Sequence, residues 1–132
     1  MLLSSKPVSH NTGLLLLRAA AGGLMLTHGW PKLMSYSEGL SKFPDPIGLG
    51  SEVSLTLVVF AEVVCSILVL VGLYTRLALI PAIINMLVAV FVVHGDDPIG
   101  KKELGLLYLI SYVVLFLTGP GSYSADARMR RR

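Results

Sequence analysis

The chain has 132 residues, 54% of them hydrophobic and 14% charged, with a formal charge of +3 and a mean hydropathy of +0.73. A soluble domain is about one quarter charged, so this composition excludes a soluble globular enzyme and points to an integral membrane protein of a single domain, residues 1–132. Arg128, Arg130, Arg131 and Arg132 crowd the end of the chain without a folded basic surface, which excludes nucleic acid as a partner and suits contact with anionic lipid.

A bilayer core of ~30 Å needs about 20 apolar helical residues per crossing, and the apolar runs supply four such segments. The first is predicted over residues 11–30. Lys6 ahead of Leu14-Leu-Leu-Leu17, with Ala19-Ala-Ala-Gly-Gly23 behind it, has the outline of a signal peptide. Arg18 interrupts the apolar core too early for one, so the segment is expected to stay as a span. Gly29 and Pro31 mark its far end, and Trp30 is placed as an interfacial anchor. Residues 31–50 form a loop that includes Phe43-Pro-Asp-Pro-Ile-Gly-Leu-Gly50, where two prolines and two glycines block helix. That loop is long for a compact bundle and is a candidate lid.

The second span is predicted over residues 51–73 and contains Cys65, a lone thiol with no disulfide or CxxC partner, read as a small hydrophobe. The turn Gly72-Leu-Tyr-Thr-Arg76 leads into a third span over residues 77–93, making these two antiparallel neighbours. A polar loop, residues 94–102, precedes a fourth span over residues 103–118, which ends at Gly119-Pro-Gly121. The expected fold is all-α, a four-helix transmembrane bundle. One face of the membrane would hold Lys6, Arg76 and the four terminal arginines, against Lys32, Lys42, Lys101 and Lys102 on the other, six against four. The arginine cluster therefore places both termini in the cytoplasm, in the inner membrane of a bacterium.

Ionisable side chains inside spans are costly, by roughly 2.5–3.5 kcal/mol each on insertion scales. Glu62 sits near the middle of the second span, too deep for a short carboxylate to reach an interface. Arg18, about five residues inside the first span, is its expected partner, since pairing neutralises both charges. The other reading sends Arg18 to the headgroups and leaves Glu62 protonated. At 100° per residue Arg18, Ala21, Met25 and His28 fall within about 80° of arc, with Lys32 in line if helix persists through Pro31. The pair Gly22-Gly23 leaves room beside this stripe.

Two polar layers result. The inner one is Arg18 with Glu62; the outer one gathers His28, Lys32, His94, Asp96, Asp97, Glu103 and Tyr108 near the opposite interface. A metal site has no support, because neither HxxxH nor HExxH spacing occurs. On the third span Ala78, Ala82, Asn85 and Ala89 make a small-residue stripe that permits close packing, with Asn85 hydrogen-bonding between helices. Tyr108, Ser111 and Tyr112 line one side of the fourth.

The order of these pieces resembles the DoxX family of small four-helix membrane proteins. They are Arg18 with Gly22 and Gly23, then His28-Gly29-x-x-Lys32; Glu62 followed by Leu70-x-Gly72-Leu-x-Thr-Arg76; Met86; Glu103 with Tyr108; and Gly119-Pro-Gly-Ser-Tyr-Ser124-Ala-Asp126. Ala125 departs from the pattern, where a larger apolar residue is expected. The resemblance implies membrane redox or thiol-stress work, since the related DoxD branch is associated with a thiosulfate:quinone oxidoreductase.

The expected function is a membrane component that binds quinone and exchanges protons with it. Glu62, His28 and Arg18 would be catalytic, and Lys32, His94, Glu103, Tyr108 and Asn85 would bind the ligand. No motif for flavin, haem or iron-sulfur is present, so electrons would come from a redox partner protein. The lipid bilayer and a second copy of the chain are the other candidate partners. Two alternatives stay open: a non-enzymatic scaffold that docks redox proteins, and a small-solute or proton transporter using Arg18, Glu62 and Asn85.

Overall fold

Long runs of Leu, Val, Ile and Ala, punctuated by Gly and Pro, wind into helices because only local hydrogen bonding satisfies the backbone of an apolar segment. The structure, a computed structural model, describes residues 1–131. Helix α1 covers His10–Met34 and is followed by a single turn, α2, at Tyr36–Gly39. Helices α3, Ser51–Val71, and α4, Thr75–Val93, are long and apolar enough to cross a membrane by length and composition. Helix α5 covers Ile99–Thr118, and a short α6 covers Ala125–Arg130. Among the described residues there is no strand. Helices α1 and α5 are the less apolar pair, the first interrupted by Arg18, His28 and Lys32 and the second opening on Lys101, Lys102 and Glu103.

Two boundaries differ from expectation, both because of proline. Helix α1 does not stop at Gly29 but runs through Pro31. A proline in the last turn forgoes the bond its own nitrogen would have made and crowds the carbonyl four residues back, but its own carbonyl still accepts from Ser35 N at 3.0 Å and Ser35 Oγ at 2.8 Å. Helix α5 begins at Ile99 rather than residue 103, since Pro98, extended at φ −63° and ψ 156°, serves as its N-cap. Lys101 and Lys102 are therefore helical. The Pro-Gly segment before α3 stays irregular, as the blocked backbone requires.

Helix α1 packs on α3, α3 on α4, α4 on α5, and α5 back on α1. Their shared core includes Leu14, Met25, Val69, Leu79, Met86 and Leu115. Outside it, Leu24, Leu57, Phe91, Ile110 and Leu117 are exposed, an apolar girdle suited to lipid. Contact between α1 and α3 depends on glycine. A Cβ on Gly22 would lie 2.8 Å from the Ser66 carbonyl oxygen, and one on Gly29 would lie 2.7 Å from Glu62 Cβ. Gly22 thus presses on α3 instead of leaving room beside the stripe, and only Gly23 faces open space.

The end of the molecule holding both termini is laced together. In the α3–α4 turn Gly72 (φ 72°) and Tyr74 (φ 47°) are left-handed. The Asp126 carboxylate accepts from Tyr74 N at 2.7 Å, Thr75 N at 2.9 Å and Thr75 Oγ1 at 2.8 Å, and Asp126 N donates to Gly72 O at 2.9 Å. Burial pushes the Asp126 carboxyl up, but these donors on the ionised form outweigh it and hold its pKa below the usual carboxylate value.

Two outcomes follow from this packing. Gly29→Ala is expected to destabilise the fold by about 1–3 kcal/mol, the ordinary cost of overpacking, while Gly23→Ala is neutral; thermal unfolding in detergent distinguishes them. Because the Asp126 pKa is lowered on folding, its contribution is present above the unfolded pKa of about 3.9 and is lost as pH falls through the folded value. Hydrogen exchange at the Tyr74 and Thr75 amides, corrected for intrinsic rates, should therefore accelerate in acid in the parent. In Asp126→Asn it should be fast throughout.

Candidate functional site

The loop end of the molecule, opposite the termini, is organised around Glu62. Residues Phe60–Val64 of α3 form a π-helical turn, in which hydrogen bonds reach five residues back and an extra residue is accommodated. Glu62 lies inside it and is 4% exposed. Gly29 of α1 lies against its backbone, and one turn further along the uninterrupted α1 Lys32 Nζ meets Glu62 Oε1 at 2.6 Å. From α4 the Asn85 side-chain amide donates to Glu62 Oε2 at 3.1 Å. Both carboxylate oxygens are thus occupied, one by an ammonium and one by an amide.

Beside this centre lies a cavity of about 250 Å³, lined by Glu62, Lys32, His28, Tyr108, His94, Lys101 and Lys102 together with Met25, Met86 and Val90. The His28 ring stands edge-on to Tyr108 with centroids 5.8 Å apart, and Tyr108 stacks on Tyr112 at 6.2 Å. A second π-helical turn, Ala89–Val93, ends α4 beside the cavity. His94 follows it, and its Nδ1 lies 2.7 Å from Asp97 Oδ2. Among the described residues no three His, Cys, Asp or Glu side chains come together as a metal site would require.

Arg18 is not part of this centre, and the expected Arg18–Glu62 pair does not form. Arg18 is 1% exposed, and its guanidinium is used up by carbonyls. Nε donates to Pro120 O at 2.9 Å, Nη1 to Leu70 O at 2.9 Å and Val69 O at 3.4 Å, and Nη2 to Tyr123 O. The reason is local. Val69 and Leu70 lie in the last turn of α3, where the carbonyls point past the helix end and carry the negative end of the dipole, and Val69 O accepts from both Arg18 and the Gly72 amide. The Gly-Pro-Gly segment supplies more such carbonyls. Glu62 lies eight residues from Leu70, about 12 Å along a helix axis, whereas Lys32 lies directly opposite it.

The structure brings together five of the eight expected site residues, His28, Lys32, Glu62, His94 and Tyr108, around one cavity. Asn85 joins them through Glu62. Glu103 is exposed on α5, outside the cavity, because α5 starts a turn early and presents Lys101, Lys102 and Gly105 to it instead. Lys101 and Lys102, expected in a loop, are helical because α5, capped by Pro98, starts at Ile99, ahead of the expected residue 103. Gly29, expected at a helix end, lies within α1 on the face that His28 and Lys32 mark.

The DoxX family model matches residues 13–95, which include His28, Lys32, Glu62, Asn85 and His94. The chain belongs to the DoxX family. This DoxX protein is 30% identical to an uncharacterized membrane protein of Mycobacterium tuberculosis, over 76% of this chain and 77% of that one. It is 28% identical to the inner membrane protein YqjF of Escherichia coli, over 92% of this chain and 95% of the relative. No solved structure matches. The family match ends before α5, so Tyr108, Lys101 and Lys102 lie outside the matched segment.

Double-variant cycles test the rearranged pairing. Lys32→Met and Glu62→Gln are expected to couple by about 0.5–3 kcal/mol in thermal or denaturant unfolding. Arg18→Met and Glu62→Gln should add within about 0.5 kcal/mol, as separated sites do. Coupling of the second pair, or strict additivity of the first, would contradict the hydrogen bonding described.

Proposed function

We propose that this DoxX protein is a four-span inner-membrane bundle with both termini cytoplasmic and its loop end on the outer face. In that setting the Glu62 centre binds a quinone-type carrier and exchanges protons with it as part of a redox or thiol-stress system. The observation that carries the reading is a buried carboxylate, held by Lys32 and Asn85, on the wall of a cavity that also presents two imidazoles and a phenol. Reduction of a quinone to a quinol takes up two electrons and two protons. His28 and His94 present imidazoles, which can carry a proton on either ring nitrogen, and are suited to relay protons from the aqueous face. Tyr108 is suited to donate to a quinone carbonyl, and the Glu62 carboxylate to accept from a quinol hydroxyl.

The electrons come from a partner protein in this proposal. Positive charge on Lys32, Lys101 and Lys102 favours a ligand that gains negative charge as it is reduced. Access from one side suits carrier chemistry better than transport. A through-path would have to pass the terminal end, where Arg18 and the Gly119–Asp126 segment fill the space between helices. Arg18 is thus a positioning residue in this reading and takes no part in the chemistry.

The test is ligand protection against heat. A water-soluble quinone analogue at about 100 times its Kd should stabilise the parent by about 2.7 kcal/mol. His28→Ala should abolish that protection while its unliganded unfolding midpoint stays near the parent's, since His28 is exposed and supports little packing. Equal protection of parent, His28→Ala and Glu62→Gln would remove this site from the function.

A further inference from the structure

Asn85 has a second side. Between α3 and α4 at the loop end runs a groove of about 340 Å³, walled by Phe60 and Ala61 of α3 and by Pro81, Ile84 and Val88 of α4, with Asn85 among its lining residues. The Phe43–Leu49 segment roofs it. That roof is staked in place: Ser51 Oγ donates to Phe43 O at 2.7 Å, and Asp45 Oδ1 accepts from Leu49 N at 2.8 Å and Ser54 Oγ at 3.1 Å. Apart from Asn85 and from Ser54, whose hydroxyl donates to Asp45, the side chains of the wall are hydrocarbon. Asn85 gives one of its two amide hydrogens to Glu62 Oε2, and among the described residues its Oδ1 accepts no hydrogen bond.

In a bilayer, apolar surfaces gain nothing from meeting each other rather than lipid tails. An alkyl chain alone would have no preference for this groove. What sets the groove apart is one unused amide oxygen, backed by a buried acid, at the inner wall of a hydrocarbon slot. An amphiphile with a long hydrocarbon chain and a small oxygen-bearing head matches that combination. A quinone carbonyl would accept the second amide hydrogen of Asn85, and a quinol hydroxyl would donate to its Oδ1.

We infer that this groove seats the hydrocarbon tail of a membrane-dissolved quinone and delivers its ring to Asn85 from the bilayer side, opposite the polar cavity that serves Glu62 from the loop end. The inference rests on the carrier reading above and adds the route and the part of the ligand recognised. Asn85 divides two compartments: lipid-soluble carrier on one side, water and ionisable groups on the other. Since Lys32, Glu62 and Asn85 form one hydrogen-bonded row, a ring at Asn85 lies one hydrogen bond from the acid.

The experiment reads occupancy directly. In a Cys65→Ser background, Ile84→Cys in the groove or Ile110→Cys on the lipid face of α5 is labelled with bimane in lipid nanodiscs. Decyl-benzoquinone is then titrated as the quencher. Quenching should saturate at position 84 and rise linearly at position 110, where only bulk partition acts. Val88→Trp should shift the saturation midpoint by about tenfold or more by filling the groove, and Asn85→Leu by about fivefold, the effect of one hydrogen bond in a membrane.

Linear quenching at both positions overturns the groove, as does displacement of the quinone by decane as readily as by itself. If Val88→Trp fails to fold, the comparison of the two labelled positions decides alone. Protection against heat that depends on His28, together with linear quenching at position 84, removes the groove and keeps the carrier reading. Saturable quenching at position 84 with protection indifferent to His28 and Glu62 does the reverse.

Discussion

A carboxylate that is 4% exposed depends on its own chain for partners, because so little solvent can reach it to share its charge. Glu62 meets that demand with one ammonium and one amide, drawn from two other helices. To deliver the ammonium, α1 has to approach α3 closely enough to exclude any side chain at Gly29, and it has to stay helical past Pro31. To deliver the amide, α4 has to hold Asn85 at the same depth. Three helices are thus fixed in height and rotation by one side chain. Leucine packing could not do this, since leucine gains as much from lipid as from leucine.

The opposite end solves the complementary problem. Arg18 is a cation without a carboxylate at ion-pair distance among the described residues, yet it is buried, and it is satisfied by carbonyl oxygens that end α3 and line the Gly119–Tyr123 segment. A guanidinium has five donors, so one arginine can tie together groups that would otherwise each need water. The two ionisable layers therefore act separately. One closes the terminal end, and the other leaves a polar cavity and an apolar groove on either side of Asn85.

Much of this was legible in the residues. The apolar runs gave the helices, the helical arc placed His28 and Lys32 on one face, and the depth of Glu62 required a buried partner. The identity of that partner was not legible. Arg18 and Lys32 both lie on the same face of α1, and choosing between them depends on where backbone carbonyls are left unpaired, which follows from how α3 ends and how the C-terminal segment folds back. Glu103 was misplaced for a similar reason, since the start of α5 depends on Pro98 acting as a cap. The groove was invisible because its two walls are 20 or more residues apart and carry no periodic polar signal.

The π-helical turn at Phe60–Val64 has a consequence for how such a site can be gained or lost. A π turn takes up one residue more than the α-helical register within a single wider turn, so removing that residue restores an ordinary helix and leaves the two halves of α3 nearly in line. A single-codon deletion here would leave a span of nearly the same length and hydropathy. If the codon lost is that of Glu62, which lies within the turn, the acid goes while the flanking halves of α3 keep their packing. A descendant carrying it would still insert and pack as a membrane helix, and would have parted with its buried acid in one genetic step.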